Sequence, residues 1–180
     1  LSRDSATVLT KSHGLGNDYL VADPAELPFE VTPARVRLVC DRHLGVGSDG
    51  LLVLDGALRL RIFNPDGSEA EKSGNGLRIF ARWLFDTGRA PSEHFTIHTR
   101  GGDAAVAIEN TSGRARQVSV DMGQPRFRDD LTVLELDGAR YPVVAVSIGN
   151  PHCVILRGQL DVAELRRLGP RVEHHAAFPN

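Results

Sequence analysis

The chain has 180 residues, of which 41% are hydrophobic and 24% are charged, a composition typical of a globular protein with a packed core. The 21 basic and 23 acidic residues are interspersed and give a formal net charge of −2, which argues against a nucleic-acid partner and a polybasic membrane-binding face. No window approaches 18 consecutive apolar residues, and residues 1–10 lack the layout of a signal peptide, so we expect a cytoplasmic protein with a small soluble ligand.

Short β-type runs alternate with turn-forming clusters over most of the chain. The runs expected to form strands are, in chain order, 19–22, 51–54, 58–63, 95–99, 104–109, 118–122, 141–148 and 153–156. Several are bounded by clusters that suit tight reversals, such as residues 64–67 and 99–103. The pattern predicts an antiparallel sheet that is rich in hairpins.

Three segments are predicted to be helical. Residues 32–40 open with a Thr-Pro pair, and residues 161–168 open with an aspartate, which are both common ways to begin a helix. The middle segment, residues 74–86, carries apolar side chains around nearly its whole circumference. This distribution predicts a helix that is buried on most sides.

The middle helix begins with the glycine-rich run Ser73-Gly74-Asn75-Gly76. The first backbone N–H groups of a helix lack intrahelical partners and carry the positive end of its dipole, so this start is a candidate anion site. The alternative is that Ser73 is an ordinary N-cap, whose hydroxyl occupies one of these donors. Both interpretations are open at this point.

A faint internal repeat relates the two ends of the chain. A Gly-Asn pair at Gly16-Asn17, followed by a ring side chain and a strand, has a counterpart at Gly149-Asn150, about 133 residues later. The same offset places a second glycine-rich helix start near position ~206, beyond Asn180. The repeat therefore predicts a protein of two lobes, the second of which is incomplete in these 180 residues.

Three loops carry an asparagine: Asn17, Asn64 and Asn150. The amide of asparagine both donates and accepts hydrogen bonds, which suits the recognition of a zwitterion with an ammonium and a carboxylate group. Each asparagine taken singly is more often a turn residue.

The run 63–78 resembles the active-site signature of the diaminopimelate epimerase family, Asn-x-Asp-Gly-Ser-Glu followed by Cys-Gly-Asn-Gly-x-Arg, with Ser73 at the cysteine position. Five further segments resemble family motifs in the family's order, namely 14–19, 41–50, 122–125, 149–154 and 168–175. The resemblance covers nearly the whole chain. It implies an α+β fold of two pseudo-symmetric lobes, each a curled, mostly antiparallel sheet around a buried central helix. Residues 1–116, with central helix 74–86, would form the first lobe, and residues 117–180 the first part of the second.

The resemblance also implies roles for individual residues. Asn17, Asn64 and Asn150 would hydrogen-bond the distal, non-reacting end of the substrate. Gly74 and Asn75 would hold the reacting α-carboxylate through amides at the helix start, because negative charge that develops there is stabilised by oriented N–H groups.

Four other positions are candidates for a catalytic or substrate-binding role. Ser73 stands at the catalytic position, and His152 would assist. Gly50 stands where some relatives carry a glutamine near the substrate, which makes it the weaker binding candidate. Arg78 is a candidate partner of a substrate carboxylate, although a lone basic residue is more often a solvated surface group.

The activity that the resemblance implies is isomerisation of LL-diaminopimelate to meso-diaminopimelate, a step toward lysine and peptidoglycan precursors. Inversion without a cofactor requires two opposed acid–base groups, and the family uses two cysteines at helix starts, where thiol pKa values are lowered. An alcohol such as that of Ser73 holds its proton far more tightly. Ser73 is thus an engineered replacement, a natural feature of a diverged member, or a mark of lost catalysis.

Two rival functions remain open beside this one: a catalytically silent amino-acid-binding relative, and a racemase of another amino acid, such as proline or histidine. The resemblance further implies a homodimer. No cofactor is expected. No metal is expected either, since Cys40 and Cys153 are isolated and the adjacent His174 and His175 point in different directions.

Overall fold

A computed structural model of the chain describes residues 9–178. The interpretation of residues 1–10 therefore lies, except for its last two residues, outside the described part. The chain divides into two compact units, of which the first ends at Met122 and the second begins at Gly123. No helix within residues 9–178 is long and apolar enough to cross a membrane.

The first unit contains two α-helices and a sheet of eight strands. The elements are β1 (Thr10–Gly14), β2 (Asn17–Ala22), a 3-10 helix (Pro24–Glu26), α1 (Pro33–Cys40), β3 (Leu51–Asp55), β4 (Arg59–Phe63), β5 (Glu69–Ala70), α2 (Gly74–Asp86), β6 (His94–Thr99), β7 (Gly102–Thr111) and β8 (Arg114–Val120). The strand order is β1-β2-β3-β4-β6-β7-β8, and β5 also pairs with β4. Neighbouring strands are antiparallel except in the pairs β2–β3 and β4–β6.

Helix α2 lies at the centre of the first unit. The sheet has two parts, β1–β4 before α2 in the chain and β6–β8 after it. The buried side chains of α2 share one apolar cluster with both parts, for example with Leu52 and Ile62 of β3 and β4 and with Ile97 and Val106 of β6 and β7. Strands from the two parts of one sheet contact the same helix because the sheet curls around it. The prediction of a buried central helix in a curled, mostly antiparallel sheet is confirmed.

The opposite face of the sheet packs on α1. Leu20, Leu51 and Val53 belong to a second apolar cluster with Val36 and Cys40 of α1. Their neighbours in sequence face α2 instead, since side chains alternate between the two faces of a strand. The strands of this region are therefore buried on both faces.

The second unit is smaller. It contains β9 (Arg126–Phe127), β10 (Val133–Leu136), β11 (Ala139–Ser147), β12 (Pro151–Ile155) and α3 (Val162–Glu173), and its strand order is β10-β11-β12, with β9 also paired with β11. Helix α3 begins after Asp161 as expected but continues beyond the predicted end at residue 168, with Pro170 inside it. The helix continues because Leu168 and Val172 pack on the same sheet cluster.

Candidate functional site

The register of the sheet brings three predicted site residues to one edge. Leu51, the first residue of β3, pairs with Leu20 of the parallel strand β2 and with Phe63, the last residue of the antiparallel strand β4. The beginnings of β2 and β3 and the end of β4 therefore meet at one edge, here called the site edge. It carries Asn17, Gly50 and Asn64.

The start of α2 is capped by Ser73. Its Oγ accepts a hydrogen bond of 3.1 Å from the backbone N–H of Gly76, which confirms the N-cap interpretation. The same Oγ lies 3.3 Å from the hydroxyl oxygen of Tyr19, in β2. The sequence alone does not identify Tyr19 as a site residue, because 54 positions separate it from Ser73 and no local pattern predicts their contact.

The helix start adjoins the hairpin that carries Asn17. Gly14, which pairs with Asn17 across the hairpin, packs so closely on Asn75 that an added Cβ would lie 3.3 Å from the Asn75 Oδ1. Arg78 donates a hydrogen bond to that oxygen. The structure therefore brings Ser73, Gly74 and Asn75 next to the site edge, and Arg78 has a protein partner there.

The residue before the cap is a buried lysine, Lys72. Lys72 is 5% exposed, and its Nζ donates to the backbone oxygens of Asp103, at 3.1 Å, and Met122, at 3.3 Å. The sequence gives no sign of this role for Lys72, since lysines are rarely buried. Its two acceptors attach the start of α2 to β7 and to the segment after β8.

A network of charged groups holds the Asn17 hairpin against the loop after α1. Arg42 contacts Asp18 at 2.5 Å and Asp49 at 2.9 Å, and Lys11 contacts Asp18 at 3.1 Å. Asp49 also accepts a 3.0 Å hydrogen bond from the backbone N–H of Asp18. The Arg42 guanidinium holds the pKa of the Asp18 carboxyl well below its ordinary value of 3.8, with a smaller contribution from Lys11.

Replacement of Asp18 by asparagine is expected to lower the free energy of unfolding by about 1 kcal/mol at pH 7, since Arg42 is half exposed. The folded-state pKa of Asp18 is lowered, so its stabilisation is present above pH 3.8 and is lost as the pH falls through the lowered value. The difference between Asp18→Asn and the parent in urea unfolding should therefore shrink below pH 3.8. The exposed Asp129→Asn is the control, and a difference that is constant with pH would contradict the expectation.

Asn64 begins a tight turn at the site edge. Its Nδ2 donates to the Ser68 hydroxyl at 3.0 Å, and its backbone oxygen accepts from Gly67 at 2.9 Å. Two hydrogen bonds from Ser68 hold the pKa of the Asp66 carboxyl below its ordinary value. Asn64 is exposed, and the turn fixes its backbone at the site edge.

Gly50 is buried and closely packed. An added Cβ would lie 2.5 Å from the backbone oxygen of Phe63 and 2.7 Å from Cε1 of Tyr19. The Gly50 oxygen accepts from the backbone of Leu20 at 3.0 Å and from the Ser48 hydroxyl at 2.9 Å. The backbone here leaves no space for the glutamine that some relatives carry.

Gly50→Ala is expected to destabilise the protein by about 1–3 kcal/mol, because the methyl group must displace the backbone of β4 or the Tyr19 ring. Thermal unfolding measures the effect. Gly88→Ala is not a suitable control, since its φ of 70° adds strain of its own, whereas Gly158→Ala adds a methyl group in open space. Equal melting temperatures for Gly50→Ala and Gly158→Ala would contradict the expectation.

The second unit brings Asn150 and His152 together. Asn150 lies in the turn between β11 and β12, and His152 is the second residue of β12. The His152 Nε2 is 3.1 Å from the Asn150 Oδ1. His152 and Cys153 line a groove of about 480 Å³ between β12 and α3. Burial raises the pKa of the thiol of Cys153 and also that of Cys40, so neither cysteine is an activated nucleophile.

The described residues include no group of three or more histidine, cysteine, aspartate or glutamate side chains that could hold a metal ion. The chemistry that the described residues offer is that of hydroxyls, amides and helix-start N–H groups. Groups of this kind can bind and orient a small polar molecule and exchange protons with it.

Comparisons of the sequence with known proteins agree on one family. The family model for diaminopimelate epimerase matches residues 9–128. The chain is 43% identical to diaminopimelate epimerase 2 of Nostoc sp., in a match that covers 94% of this chain and 65% of that protein. It is 40% identical to diaminopimelate epimerase of Pelotomaculum thermopropionicum, in a match that covers 94% of this chain and 67% of that protein. The chain thus spans about two thirds of the length of these relatives.

Two solved structures share the fold. One is a probable proline racemase from Agrobacterium radiobacter, with a TM-score of 0.72, 16% identity, and coverage of 93% of this chain and 60% of that one. The other is a hydroxyproline epimerase from Agrobacterium vitis, with a TM-score of 0.65, 15% identity, and coverage of 89% and 52%. At these identities the similarity shows the fold alone.

Proposed function

Because the chain belongs to the diaminopimelate epimerase family, we propose that it acts in the conversion of LL-diaminopimelate to meso-diaminopimelate. The reaction supplies lysine and peptidoglycan precursors and requires no cofactor. The observation that carries the proposal is the meeting of Asn17 and Asn64 at the site edge, with the Asn17 hairpin packed against Asn75 at the start of α2. We further propose that the protein is cytoplasmic and forms a homodimer, with residues 1–116 in the first lobe and residues 117–180 in the first part of the second.

The start of α2 suits the reacting end of an amino acid. In the proposal, the backbone N–H groups of Gly74 and Asn75 bind the α-carboxylate. Removal of the α-proton moves an electron pair toward this carboxylate, and the oriented N–H groups at the helix start stabilise the charge that develops. A helix start anchored by Lys72 and Asn75 is rigid enough to hold that geometry.

The amides suit the distal end. Diaminopimelate carries a second ammonium and a second carboxylate, and asparagine offers an acceptor for the first and donors for the second. We assign this role to Asn17, Asn64 and Asn150. His152, which contacts Asn150, is assigned an assisting role in the proton transfer. Ser73 is assigned the proton-exchanging position on one face of the α-carbon.

Exchange of the α-proton with solvent tests the proposal. The protein is incubated with LL-diaminopimelate in heavy water, and the α-proton signal is followed by NMR while chiral chromatography measures the meso isomer. We expect loss of the signal and formation of the meso isomer, and Ser73→Ala is the matched control. Binding without exchange would identify a silent amino-acid-binding protein, and exchange of proline or histidine alone would identify a different racemase.

A further inference from the structure

The two hydroxyl groups of Tyr19 and Ser73 meet at the start of α2. The Tyr19 ring is 7% exposed and packs in the cluster around α2, and Gly50 lies directly against it. The ring is therefore fixed, and its hydroxyl lies 3.3 Å from the Ser73 Oγ. We propose that these residues, here called the Tyr19–Ser73 pair, exchange protons as one unit, with Tyr19 as the positioning residue that supplies and receives the proton of Ser73.

The hydrogen-bonding capacity of the two hydroxyls determines what the pair can do. A hydroxyl donates one hydrogen bond and accepts up to two. The Ser73 Oγ already accepts from the N–H of Gly76, so it has one lone pair and one proton left for Tyr19 and the substrate. If Ser73 donates its hydrogen bond to Tyr19, the remaining lone pair of Ser73 is available to accept a proton from the substrate. If Tyr19 donates to Ser73 instead, the proton of Ser73 is available to be given to the substrate.

The acidity of the two groups explains why a phenol is useful here. An aliphatic alcohol is about as weak an acid as water, whereas phenols are far stronger acids that ionise near ~10. A serine that acts alone must form an alkoxide when it gives up its proton. A serine that is reprotonated by a phenol leaves the negative charge on the aromatic oxygen, which carries it far better.

The proposed step is balanced in both directions. When a base on the opposite face has removed the α-proton, Ser73 donates its proton to the α-carbon, and Tyr19 donates its proton to the Ser73 oxygen and becomes a phenolate. In reverse, the α-proton passes to Ser73 and the serine proton passes to the phenolate, while the electron pair of the C–H bond stays on the substrate. Each bond that breaks is matched by one that forms.

The inference rests on the proposed function and is tested in the same exchange assay. Tyr19→Phe keeps the ring and removes one hydroxyl. We expect kcat for α-proton exchange to fall about 100-fold, while KM for LL-diaminopimelate changes little. Tyr141→Phe is the matched control, because Tyr141 is 8% exposed and its hydroxyl contacts only Arg167 among the hydrogen bonds of the described residues. The control should retain the parent rate.

A double-mutant cycle separates proton exchange from a structural role. A thiol forms a stable thiolate without a phenol to take up the negative charge. Tyr19→Phe in a Ser73→Cys protein should therefore change the rate of exchange by less than about threefold. An equal loss in both backgrounds would show that Tyr19 only supports the fold. If Tyr19→Phe reduces folding, as judged by thermal unfolding, this comparison between backgrounds still decides.

The failures of the two proposals are distinguishable. If the parent protein exchanges the α-proton and Tyr19→Phe exchanges it equally fast, the pair is wrong and the epimerase function stands. If the parent protein does not exchange the α-proton of diaminopimelate, the proposed function and the pair both fail.

Discussion

Replacement of Ser73 by cysteine is expected to raise the rate of α-proton exchange about 1,000-fold, because a thiol with an ordinary pKa of ~8.5 is far closer to neutral pH than an alcohol. The position favours the thiolate further, since the start of α2 presents the positive end of the helix dipole. The same change removes the hydroxyl that accepts from Gly76, which should lower the free energy of unfolding by about 1 kcal/mol.

Rate and stability should therefore move in opposite directions in this variant. The exchange assay in heavy water measures the rate, and urea unfolding measures the stability. Ser92→Cys is the matched control, because it adds a thiol at an exposed position outside the proposed site. An unchanged rate in Ser73→Cys, with LL-diaminopimelate still bound, would place the acid–base chemistry at other residues.

Phe80→Ala is expected to produce the largest loss of stability, about 3–5 kcal/mol. Phe80 is fully buried in α2, and its ring stacks on that of Trp83 at 5.7 Å between centroids. Truncation leaves a cavity between α2 and the sheet, which cannot close without a shift of the helix. Because α2 carries Ser73 at its start, we expect the exchange rate to fall together with the stability.

Urea unfolding with linear extrapolation measures this effect. The control is Phe127→Ala, since Phe127 is 60% exposed and its truncation should cost under about 1 kcal/mol. Similar losses for the two variants would mean that α2 is not the centre of the core. A parent-like rate in a destabilised Phe80→Ala protein would show that the helix start is held by its own contacts alone.

The helices are predictable because their signals are local. The caps Thr32, Ser73 and Asp161 all occupy their predicted positions, and α2 has the bounds Gly74–Asp86 that its apolar pattern predicts. The predicted end of α3 is wrong, because tertiary packing extends the helix past Pro170. Local sequence determines where these helices begin more reliably than where they end.

The pattern does not predict four strands, β1, β5, β9 and β10. Strand β10 is missed although it carries the apolar residues Val133, Leu134 and Leu136, whereas the other three lack a local signal. Strand β1, Thr10–Gly14, contains no large apolar residue and forms because it pairs with β2. Strands β5 and β9 have two residues each and are defined by their partners. The parallel pairings of β2 with β3 and of β4 with β6 do not follow from the pattern either, since a hairpin-rich sequence indicates antiparallel neighbours.

The site is predictable in composition and not in geometry. The motif at 63–78 is sufficient to propose Ser73, Gly74 and Asn75 as site residues. The contacts that position them come from Tyr19 and Lys72, which lie within the matched segments 14–19 and 63–78 but are given no role by them. Such contacts join residues that are distant in sequence, and only the folded chain shows them.

The pairing between β4 and β6 joins the two parts of the first unit's sheet, β1–β4 and β6–β8, and is the shortest pairing in that sheet. It consists of one residue pair, Arg59 with His98. This pairing is here called the waist of the sheet. The start of α2 is attached on both sides of this waist, to β1 and β2 through Asn75 and Ser73 and to β7 through Lys72. The helix thus bridges two parts of the sheet that are joined by few hydrogen bonds. Rotation of these parts relative to each other would displace the start of α2, so that the position of Ser73 depends on the curvature of the whole sheet.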